Sequence, residues 1–512
     1  MRITNPFGTN KQFVLAKEAI VADGWLNEKL SSGHILSWEK HLKVLISEDR
    51  NVCLLGHTWS VVEEGFDVRK VLTMSREEIL NEEKNWSGRY LLIIGKEIYL
   101  DAAGLLGVFY DEDIISSSLA LIFRIKGRKV VYPKIKHGIS LDFVPGEYTE
   151  CEGVKRLLPS QVLNYTTCTT TSRELLPDRD LPQLSDDERT QLFSKYLEIG
   201  LRNLQREFPD CKLWLALTGG RDSRTTLAGL AKSGLAFETF TLEHCNIASE
   251  DVSLPPILAN KLGVKHKYVS RDRKGFSRKE YDAYRDFTAG MAVDEDWLFY
   301  AYGQYSQLVE DNKPIVLLRS SIYEIVIFYW THCLREGQAF TAENLRKVSL
   351  SLRCSNEYYN SLSDWFKKTE EYGKNMWLGI SNMFHWEARS GCWVSSIEQS
   401  FDIYENITSI QPVNSRVYLS LLMGYNPNER REKKHQEHII STMCPEIGDV
   451  PYCEKAQAVK PGLTAKIIRK LRRAPRGIRR RLSALPWIAK NYGIKGVGET
   501  ITYLLESCHI IP

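Results

Sequence analysis

Residues 213–224 read Leu213-Trp214-Leu215-Ala216-Leu217-Thr218-Gly219-Gly220-Arg221-Asp222-Ser223-Arg224. An apolar run leads straight into two glycines, behind which small and hydroxyl residues open a helix. Paired glycines let the backbone turn tightly and bring its N–H groups close to a ligand. The helix N-terminus adds unpaired N–H donors and the positive end of a dipole. The stretch therefore predicts an anion site between a strand and a helix.

The anion that suits this loop is pyrophosphate, which is expelled when ATP is attacked at its α-phosphorus. Thr218 and Ser223 place hydroxyls on either side of the glycines, and Asp222 is suited to hold a metal ion or to fix the loop. The stretch is not a Walker A loop, because it lacks the G-x-x-x-x-G-K-[ST] pattern. The alternative is a tight turn with no ligand.

The residues that follow the loop predict alternating strands and helices, and each of the first two helices stops at a glycine, Gly234 or Gly263. Alternation of this kind predicts βαβ units and a parallel sheet. From about Glu343 to Ile440 the pattern is mostly helical. The predicted strands are Lys212–Leu217, Phe237–Leu242, Lys267–Val269 and Ile315–Leu318, and the predicted helices are Arg224–Ser233 and Pro255–Leu262.

Residues 1–165 read as a β-rich domain, because short runs of β-branched and aromatic residues are bounded there by Gly, Asp or Asn. A polar linker from Pro177 to Asp187 then leads into a helix from about Glu188 to Phe208. The predicted strands of this domain are Val52–Leu55, Tyr90–Ile94, Ile98–Leu100, Val130–Tyr132 and, as the closing strand, Leu157–Leu163.

The composition is that of an ordinary globular protein: 512 residues, 43% hydrophobic and 26% charged, with a net charge of +4. This length is enough for two or three domains. The N-terminus lacks a secretory apolar run, and no apolar run approaches the roughly 20 residues that span a bilayer. The eleven cysteines include no C-x-x-C pair, which favours reduced thiols over a zinc ribbon or a disulfide framework. We therefore expect a cytoplasmic protein without membrane insertion.

A basic run lies in the tail after Val459, where Lys466 is followed by the arginine-rich segment Arg469–Arg481. Charge runs of this kind are usually solvated helix faces. The alternative is a patch that meets an anionic partner such as nucleic acid, a phospholipid surface or an acidic carrier domain. We expect residues 460–512 to form a separate basic tail.

The loop Thr218–Ser223 resembles the S-G-G-x-D-S pyrophosphate loop of N-type ATP pyrophosphatases, and in detail that of the asparagine synthetase branch. Thr218 replaces the usual serine and keeps the hydroxyl. The resemblance implies an α/β protein in which residues 188–459 form a parallel-sheet, adenine nucleotide α-hydrolase-like domain with helical C-terminal additions. The ATP-binding residues that it implies are Leu217, Thr218, Gly219, Gly220, Arg221, Asp222, Ser223 and, at the edge of the adenine pocket, Leu242.

Two further positions after the strand Phe237–Leu242 follow the family pattern. Asp251 sits where the family places an acidic residue ahead of its second helix, and Leu262-Gly263-Val264-Lys265-His266 resembles the family's L-G-x-x-H ending. For His266 alone, a structural histidine is the preferred interpretation over a catalytic one.

The second ATP-side motif of the family, S-G-x-G-x-D-E, corresponds here to Leu318–Glu324. Glu324 matches the terminal acid, but Tyr323 replaces the aspartate and both glycines are lost. The resemblance implies Mg²⁺ ligation through Asp222 and Glu324, and hard oxygen ligands suit an Mg²⁺ ion that bridges phosphates. The alternative for Glu324 is a satisfied carboxylate at a helix start.

Asn414–Leu419 is similar to the family's E-S-R-V-P-F-L segment. In the family, a lysine about a dozen residues before a later proline contacts the phosphates or the adenylate. Lys433 has that spacing from Pro445, and Lys434 is its neighbour, so the resemblance implies a catalytic ammonium at Lys433 or Lys434. A group of this kind contributes roughly 3–4 kcal/mol. The alternative is an exposed basic helix.

Gly88–Ile93 and Asp101–Tyr110 look like the G-R-F and D-x-x-G-x-x-P-L-Y segments of a class II glutamine amidotransferase domain. That domain needs a cysteine as the first residue of the processed chain. This sequence begins Met1-Arg2, and its first cysteine is Cys53. We therefore expect residues 1–165 to be a degenerate amidotransferase-like domain that does not hydrolyse glutamine by the usual route.

The resemblance implies an ATP-dependent ligase that releases AMP and pyrophosphate. A carboxylate attacks the α-phosphorus of MgATP to give an acyl-adenylate, and ammonia or an amine then forms the amide, with orientation in one site as the chief source of rate. The substrate is expected to be a small-molecule, peptide or saccharide carboxylate whose identity the sequence leaves open. A homodimer is possible, and the sequence does not decide the oligomeric state. The alternatives are a tRNA-modifying adenylating enzyme, supported only by the basic tail, and a non-catalytic scaffold, suggested by the eroded second motif.

Overall fold

The structure is a computed structural model that describes residues 10–127, 144–149, 151, 153–243, 249–270, 304–305, 307–310, 313–327, 334, 338–348, 356–373 and 379–453. The chain divides into two compact units, Met1–Tyr452 and Cys453–Pro512. The predicted strand Val130–Tyr132 and the predicted basic tail, residues 460–512, lie outside the described residues.

The described residues of the N-terminal part of the chain form two antiparallel sheets of six strands each. Leu15 and Leu36 of the first sheet and Leu55 and Leu91 of the second are fully buried in one cluster, so the two sheets face each other across a shared core. In spatial order, the strands of the first sheet are Lys155–Arg156, Phe109–Tyr110, Ile114–Ser116, Phe13–Ala16, Ile35–Glu39 and Trp25–Lys29, and those of the second are Thr169–Ser172, Gln161–Asn164, Glu97–Leu100, Trp86–Ile94, Val52–Ser60 and Val44–Ile46.

The strands predicted at Val52–Leu55, Tyr90–Ile94 and Ile98–Leu100 are confirmed within these sheets. The expected closing strand from Leu157 begins only at Gln161. The reason is a turn, in which the Gln161 N–H donates to the Leu158 carbonyl at 2.9 Å. The second sheet also continues to Ser172, past residue 165, at which we expected the domain to end.

A long helix, Asp186–Glu207, connects the antiparallel sheets to the rest of the chain, close to the predicted span. It begins at Ser185, whose side chain caps the Glu188 N–H while the Glu188 carboxylate accepts from the Ser185 N–H at 2.9 Å. This capping box satisfies two N–H groups that the helix itself leaves unpaired. The helices that precede it are Arg76–Glu83, Leu119–Ile125 and the short 3₁₀ segments Val68–Thr73 and Leu181–Gln183.

In the part of the chain that the structure describes, five parallel strands form the third sheet, as the βαβ pattern predicted. Their spatial order is His266–Val269, Phe237–Leu242, Lys212–Ala216, Ile315–Leu318 and Ile407–Ile410. The chain leaves the central strand Lys212–Ala216 toward one edge and comes back on the other side with Ile315–Leu318. The strand order therefore reverses between these two strands. In open α/β sheets, ligands bind beyond the carboxyl ends of the strands at such a point.

The strand Ile407–Ile410 lies within the span that we expected to be mostly helical, and at four residues it is too short to interrupt a helical pattern visibly. The helix expected to start at Pro255 starts at Ser249, so both prolines are inside it; Glu250 and Asp251 favour that earlier first turn. The remaining helices are Arg221–Ser233, Ala342–Val348, Asn356–Gly373, Ile380–Phe384, Ser395–Ser400, Arg416–Met423, Pro427–Glu432, Lys434–Met443 and Pro445–Gly448, with the π-helix His385–Val394 and the 3₁₀ segments Ser321–Val326 and Phe401–Ile403. In the described parts of the chain, none of the helices is both long and apolar enough to cross a bilayer.

Gly229 sets the position of the helix Arg221–Ser233 against the helix Asp186–Glu207. A Cβ at this position would lie 2.7 Å from Leu197 Cδ2 and 3.0 Å from Leu201 Cδ1. We expect Gly229→Ala to lower the free energy of unfolding by about 1–2 kcal/mol, because overpacking outweighs the better helix propensity of alanine. Chemical denaturation measures this change, and a more stable variant would show that the two helices separate without cost.

Candidate active site

The loop Thr218–Ser223 leaves the central strand at the carboxyl edge of the parallel sheet. Its first anchor is Leu217, a buried residue. The Leu217 N–H donates to the Phe240 carbonyl at 2.9 Å, and the Thr241 hydroxyl donates to the Leu217 carbonyl at 2.7 Å. Both polar groups of the Leu217 backbone are thus tied to the neighbouring strand, which fixes where the loop begins.

Three backbone N–H groups of the loop have side-chain acceptors. The Thr218 N–H donates to the Ser223 hydroxyl at 3.1 Å, and the Gly220 N–H donates to the Thr218 hydroxyl at 3.2 Å. The third, the Gly219 N–H, donates to a carboxylate oxygen of Asp251 at 2.8 Å. An anionic oxygen therefore already occupies one of the donor positions that the sequence assigned to pyrophosphate. We had expected Asp251 to lie ahead of the second helix. It lies instead in the first turn of that helix, Ser249–Lys261.

This contact predicts that Asp251 competes with an anionic ligand. We expect Asp251→Asn to tighten the binding of inorganic pyrophosphate by roughly tenfold, because the competitor loses its charge and its charge-assisted hydrogen bond. Calorimetric titration measures the affinity. Glu343→Gln removes an exposed carboxylate elsewhere and serves as the charge control, with no expected change. Weaker binding by Asp251→Asn would show that Asp251 supports the ligand instead of competing with it.

Lys433 reaches the loop from 211 residues further along the chain. Its Nζ lies 2.8 Å and 3.1 Å from the two carboxylate oxygens of Asp222, and the Gln436 side-chain amide donates to Asp222 at 2.8 Å. The side chains of Lys433 and Asp222 are 23% and 22% exposed. The structure thus brings together the predicted metal ligand and one of the two predicted catalytic lysines at a position that solvent reaches.

The two candidate lysines differ in backbone conformation and in their contacts. Lys433 has a φ of 60° and stands between the helices Pro427–Glu432 and Lys434–Met443. A left-handed conformation is uncommon for a residue other than glycine, and it occurs most often where a helix ends, as it does here. Lys434, in contrast, pairs with Glu432 and is 63% exposed. Only Lys433 of the two contacts the loop.

Two arginines hold the loop from its helix side. Arg221, which the resemblance assigns to ATP binding, pairs with Glu437 at 2.5 Å and lies over the ring of Tyr452. Arg224 is fully buried and donates to the Gly219 carbonyl at 3.2 Å and to the Pro451 carbonyl at 2.9 Å. Sequence reasoning missed Arg224, although a charged residue among the small residues of this helix start was a usable signal.

The second motif follows the neighbouring strand Ile315–Leu318, and the hydroxyls of Thr226 and Ser320 link it to the loop helix at 2.9 Å. Glu324 is 27% exposed, and its carboxylate lies 3.7 Å from His385 Nε2. Burial, with the charges of Arg389 and Lys433, holds the pKa of His385 well below its usual range, so this ring is neutral.

Tyr323 occupies the place of the family aspartate and is fully buried. Burial raises the pKa of its phenol well above the usual value, so Tyr323 supplies no negative charge near neutral pH. Among the acids of the family motif, only Glu324 is left to contribute one.

Asp222 and Glu324 are compatible with a magnesium ion that arrives with a nucleotide. Within the described ranges, no cluster of three His, Cys, Asp or Glu side chains is arranged to hold a metal. Mg²⁺ is usually held by one or two carboxylates together with phosphates and water. Asp222 and Glu324 are partly exposed and follow adjacent strands, and each offers a carboxylate oxygen of the kind that Mg²⁺ prefers.

Leu242 and His266 lie at opposite edges of the sheet. Leu242 is the last residue of its strand and shares the carboxyl edge with the loop. His266 is the first residue of its strand, and its Nδ1 is 2.9 Å from the Thr239 hydroxyl. Burial lowers the pKa of His266 to about 4. Its position and contact are those of a structural histidine.

Comparisons with known proteins add little to this geometry. No protein-family model and no curated protein matches the chain. Among solved structures, an NMN synthetase from Francisella tularensis is 15% identical, with 40% of this chain and 94% of that chain covered and a TM-score of 0.21. An NAD+ synthetase from Burkholderia pseudomallei is 10% identical, with 49% and 91% covered and a TM-score of 0.17. TM-scores this low assign neither a family nor an activity to this chain.

Proposed function

We propose that the protein is an ATP-dependent ligase that activates a carboxylate as an acyl-adenylate and joins it to ammonia or an amine. The observation that carries this proposal is the contact between Lys433 and Asp222, made on a glycine-rich loop at the point where the strand order of the sheet reverses. The left-handed backbone of Lys433, which ends the helix Pro427–Glu432, brings its ammonium to the loop.

In this proposal, the loop binds the departing diphosphate of ATP. The N–H groups of Gly219 and Gly220, the hydroxyls of Thr218 and Ser223 and the N-terminus of the helix that follows provide the donors. Leu242 borders the adenine at the same sheet edge, and Arg221 completes the loop contacts. Because the Gly219 N–H is held by Asp251 and the Gly220 N–H by the Thr218 hydroxyl in this structure, ligand binding requires both acceptors to move aside.

We assign to the ammonium of Lys433 the role of stabilising charge at the α-phosphate, where the reaction takes place. Negative charge on the α-phosphate oxygens grows as the carboxylate attacks, and a positioned cation stabilises that charge. Asp222 and Glu324 are the residues that would hold an Mg²⁺ ion brought by the nucleotide, and the ion would supply positive charge next to the phosphates.

Glutamine is not the proposed nitrogen source. Cys53, the first cysteine of the chain, is fully buried within the strand Val52–Ser60. Burial raises the pKa of its thiol to about 12, so it is neither accessible nor ionised near neutral pH. This cysteine is therefore not suited to act as a glutaminase nucleophile, and we assign the amide nitrogen to free ammonia or to an amine.

The test is carboxylate-dependent exchange of labelled pyrophosphate into ATP, measured over a panel of small-molecule, peptide and saccharide carboxylates. Exchange without any amine is expected for the active carboxylate, since adenylate formation is reversible, and hydroxylamine should trap the adenylate as a hydroxamate. AMP should accumulate only when ammonia or an amine is added. Absence of exchange with every carboxylate, together with absence of MgATP binding, would show a scaffold instead of an enzyme.

A further inference from the structure

Arg319 directly follows the strand Ile315–Leu318 at the carboxyl edge of the parallel sheet. It stands at the position of the first glycine of the S-G-x-G-x-D-E motif, so this chain has a long cationic side chain where the motif has none. The strand order reverses between Ile315–Leu318 and Lys212–Ala216, the strand from which the candidate loop departs. Arg319 therefore lies next to the point of the sheet at which a ligand is expected.

The side chain of Arg319 has little beside it on the neighbouring strand. Because side chains alternate along a strand, Arg319 points to the same sheet face as Leu317. Its guanidinium carbon lies 5.4 Å from the centre of the Phe401 ring, which packs in one core cluster with Leu317. The register of the two strands places Ala216 next to Arg319. Ala216 is partly exposed and offers only a methyl group there.

The guanidinium of Arg319 makes no hydrogen bond to the residues that the structure describes. Its one charged neighbour is Glu398, whose Oε1 lies 3.4 Å from Nη1 without hydrogen-bond geometry. Nη1 is enclosed, whereas Nε and Nη2 are neither enclosed nor partnered among the described residues. The side chain is 14% exposed. One edge of the guanidinium is thus open to a ligand.

Glu398 holds the guanidinium in place without occupying that open edge. It is fully buried, and its Oε1 also accepts from the Gln411 side-chain amide at 2.8 Å. Its negative charge offsets the cost of enclosing the inner side of the guanidinium. The outer nitrogens, Nε and Nη2, form a fork that matches two oxygens of a carboxylate or a phosphate. The chemistry of this position is therefore that of an anion receptor.

We propose that Arg319 binds a second anionic group of the carboxylate substrate, one that takes no part in the reaction. The reacting carboxylate loses its own negative charge when it becomes the acyl-adenylate, so a cation that held it in the ground state would oppose its attack. A group that keeps its charge is bound equally well before and during the reaction. The inference rests on the proposed function and narrows its substrate class to carboxylates that carry a further carboxylate or phosphate.

The test compares matched substrates in pyrophosphate exchange: succinate and 3-phosphonopropionate each against succinamate, and any other active carboxylate against the derivative in which its second anionic group is an amide. For the wild type, the amide should raise the KM about 50-fold, the loss expected when a charge-assisted hydrogen-bonded pair is removed. The KM for ATP should not change. The anion that gives the lower KM, carboxylate or phosphonate, is the one that Arg319 prefers.

Arg319→Met should raise the KM of the dianionic substrate by about the same 50-fold and leave the KM of its amide within about twofold, because the amide offers no charge to the guanidinium. Arg319→Lys keeps a cation next to Glu398 but loses the fork, and should raise the KM of the dianion about tenfold. Arg76→Met is the matched control. Arg76 also pairs with a carboxylate, Glu97, and lies over an aromatic ring, that of Tyr99, and its loss should not change either KM.

Three results would overturn this inference while leaving the proposed function in place. They are exchange in which the amide performs as well as its dianionic counterpart, an unchanged KM for the dianion in folded Arg319→Met, and a rise in the KM for ATP in place of the carboxylate KM. If Arg319→Met does not fold, Arg319→Lys and the substrate pairs decide. Absence of exchange with every carboxylate, together with absence of MgATP binding, would overturn the proposed function and this inference with it.

Discussion

Lys433→Met is expected to lower carboxylate-dependent pyrophosphate exchange by about 100- to 1000-fold, the loss found when a positioned group that stabilises transition-state charge is removed. Methionine keeps the length and the apolar stem of the side chain but removes the ammonium that lies 2.8 Å from Asp222. The Gln436 amide still donates to Asp222 in the variant, so the carboxylate keeps a partner and the loop keeps its anchor.

Lys434→Met is the matched control, because it makes the same change one residue away. Its ammonium pairs with Glu432 on the exposed side of the chain, and surface ion pairs of this kind contribute little. Pyrophosphate exchange by Lys434→Met should stay within about twofold of the wild type, because the variant loses only a surface ion pair. If Lys434→Met loses exchange and Lys433→Met does not, the assignment of the catalytic ammonium is reversed.

Asp402→Ala is expected to lower the free energy of unfolding by about 3–5 kcal/mol, since it leaves a buried charge without its partner. Arg89 and Asp402 form a two-pronged pair with distances of 2.7 Å and 2.5 Å, and their side chains are only 5% and 3% exposed. In the variant, the guanidinium keeps one hydrogen bond, to the Leu105 carbonyl. Urea denaturation followed by tryptophan fluorescence measures the loss.

The double variant Arg89→Met/Asp402→Leu separates the cost of an orphaned charge from the net value of the pair. Replacement of both partners by apolar side chains is often neutral or stabilising, so the double variant should be markedly more stable than Asp402→Ala. A change of less than about 1 kcal/mol in Asp402→Ala, small for a buried pair, would contradict the role given to this contact.

These contacts bear on the N-terminal segments that look like amidotransferase motifs. Arg89, from the G-R-F-like segment, pairs with Asp402, and Asp101, from the second segment, accepts from the Asn414 side-chain amide at 2.8 Å. Both segments thus join the antiparallel sheets to the part of the chain that carries the parallel sheet. A structural role accounts for these residues without glutamine, while their descent from an amidotransferase domain stays a prediction.

The sequence predicted the elements that depend on neighbouring residues. The apolar run, the paired glycines and the stop at Gly234 located the central strand, the loop and its helix, because each signal acts over a few positions. Lys433 and Lys434 could not be distinguished in this way, since spacing alone does not reveal the left-handed residue between two helices. The contact of Asp251 with Gly219 could not be predicted either, because it joins residues 32 positions apart and no local signal in the sequence marks it.

The helix Lys434–Met443 and the residue just before it carry three ties to the loop. Lys433 and Gln436 contact Asp222, and Glu437 contacts Arg221. Ile439 and Ile440, further along the same helix, are fully buried, so the core holds this helix in place. The position of one helix therefore sets all three contacts with the loop at once, and a substitution that displaces the helix is expected to weaken them together.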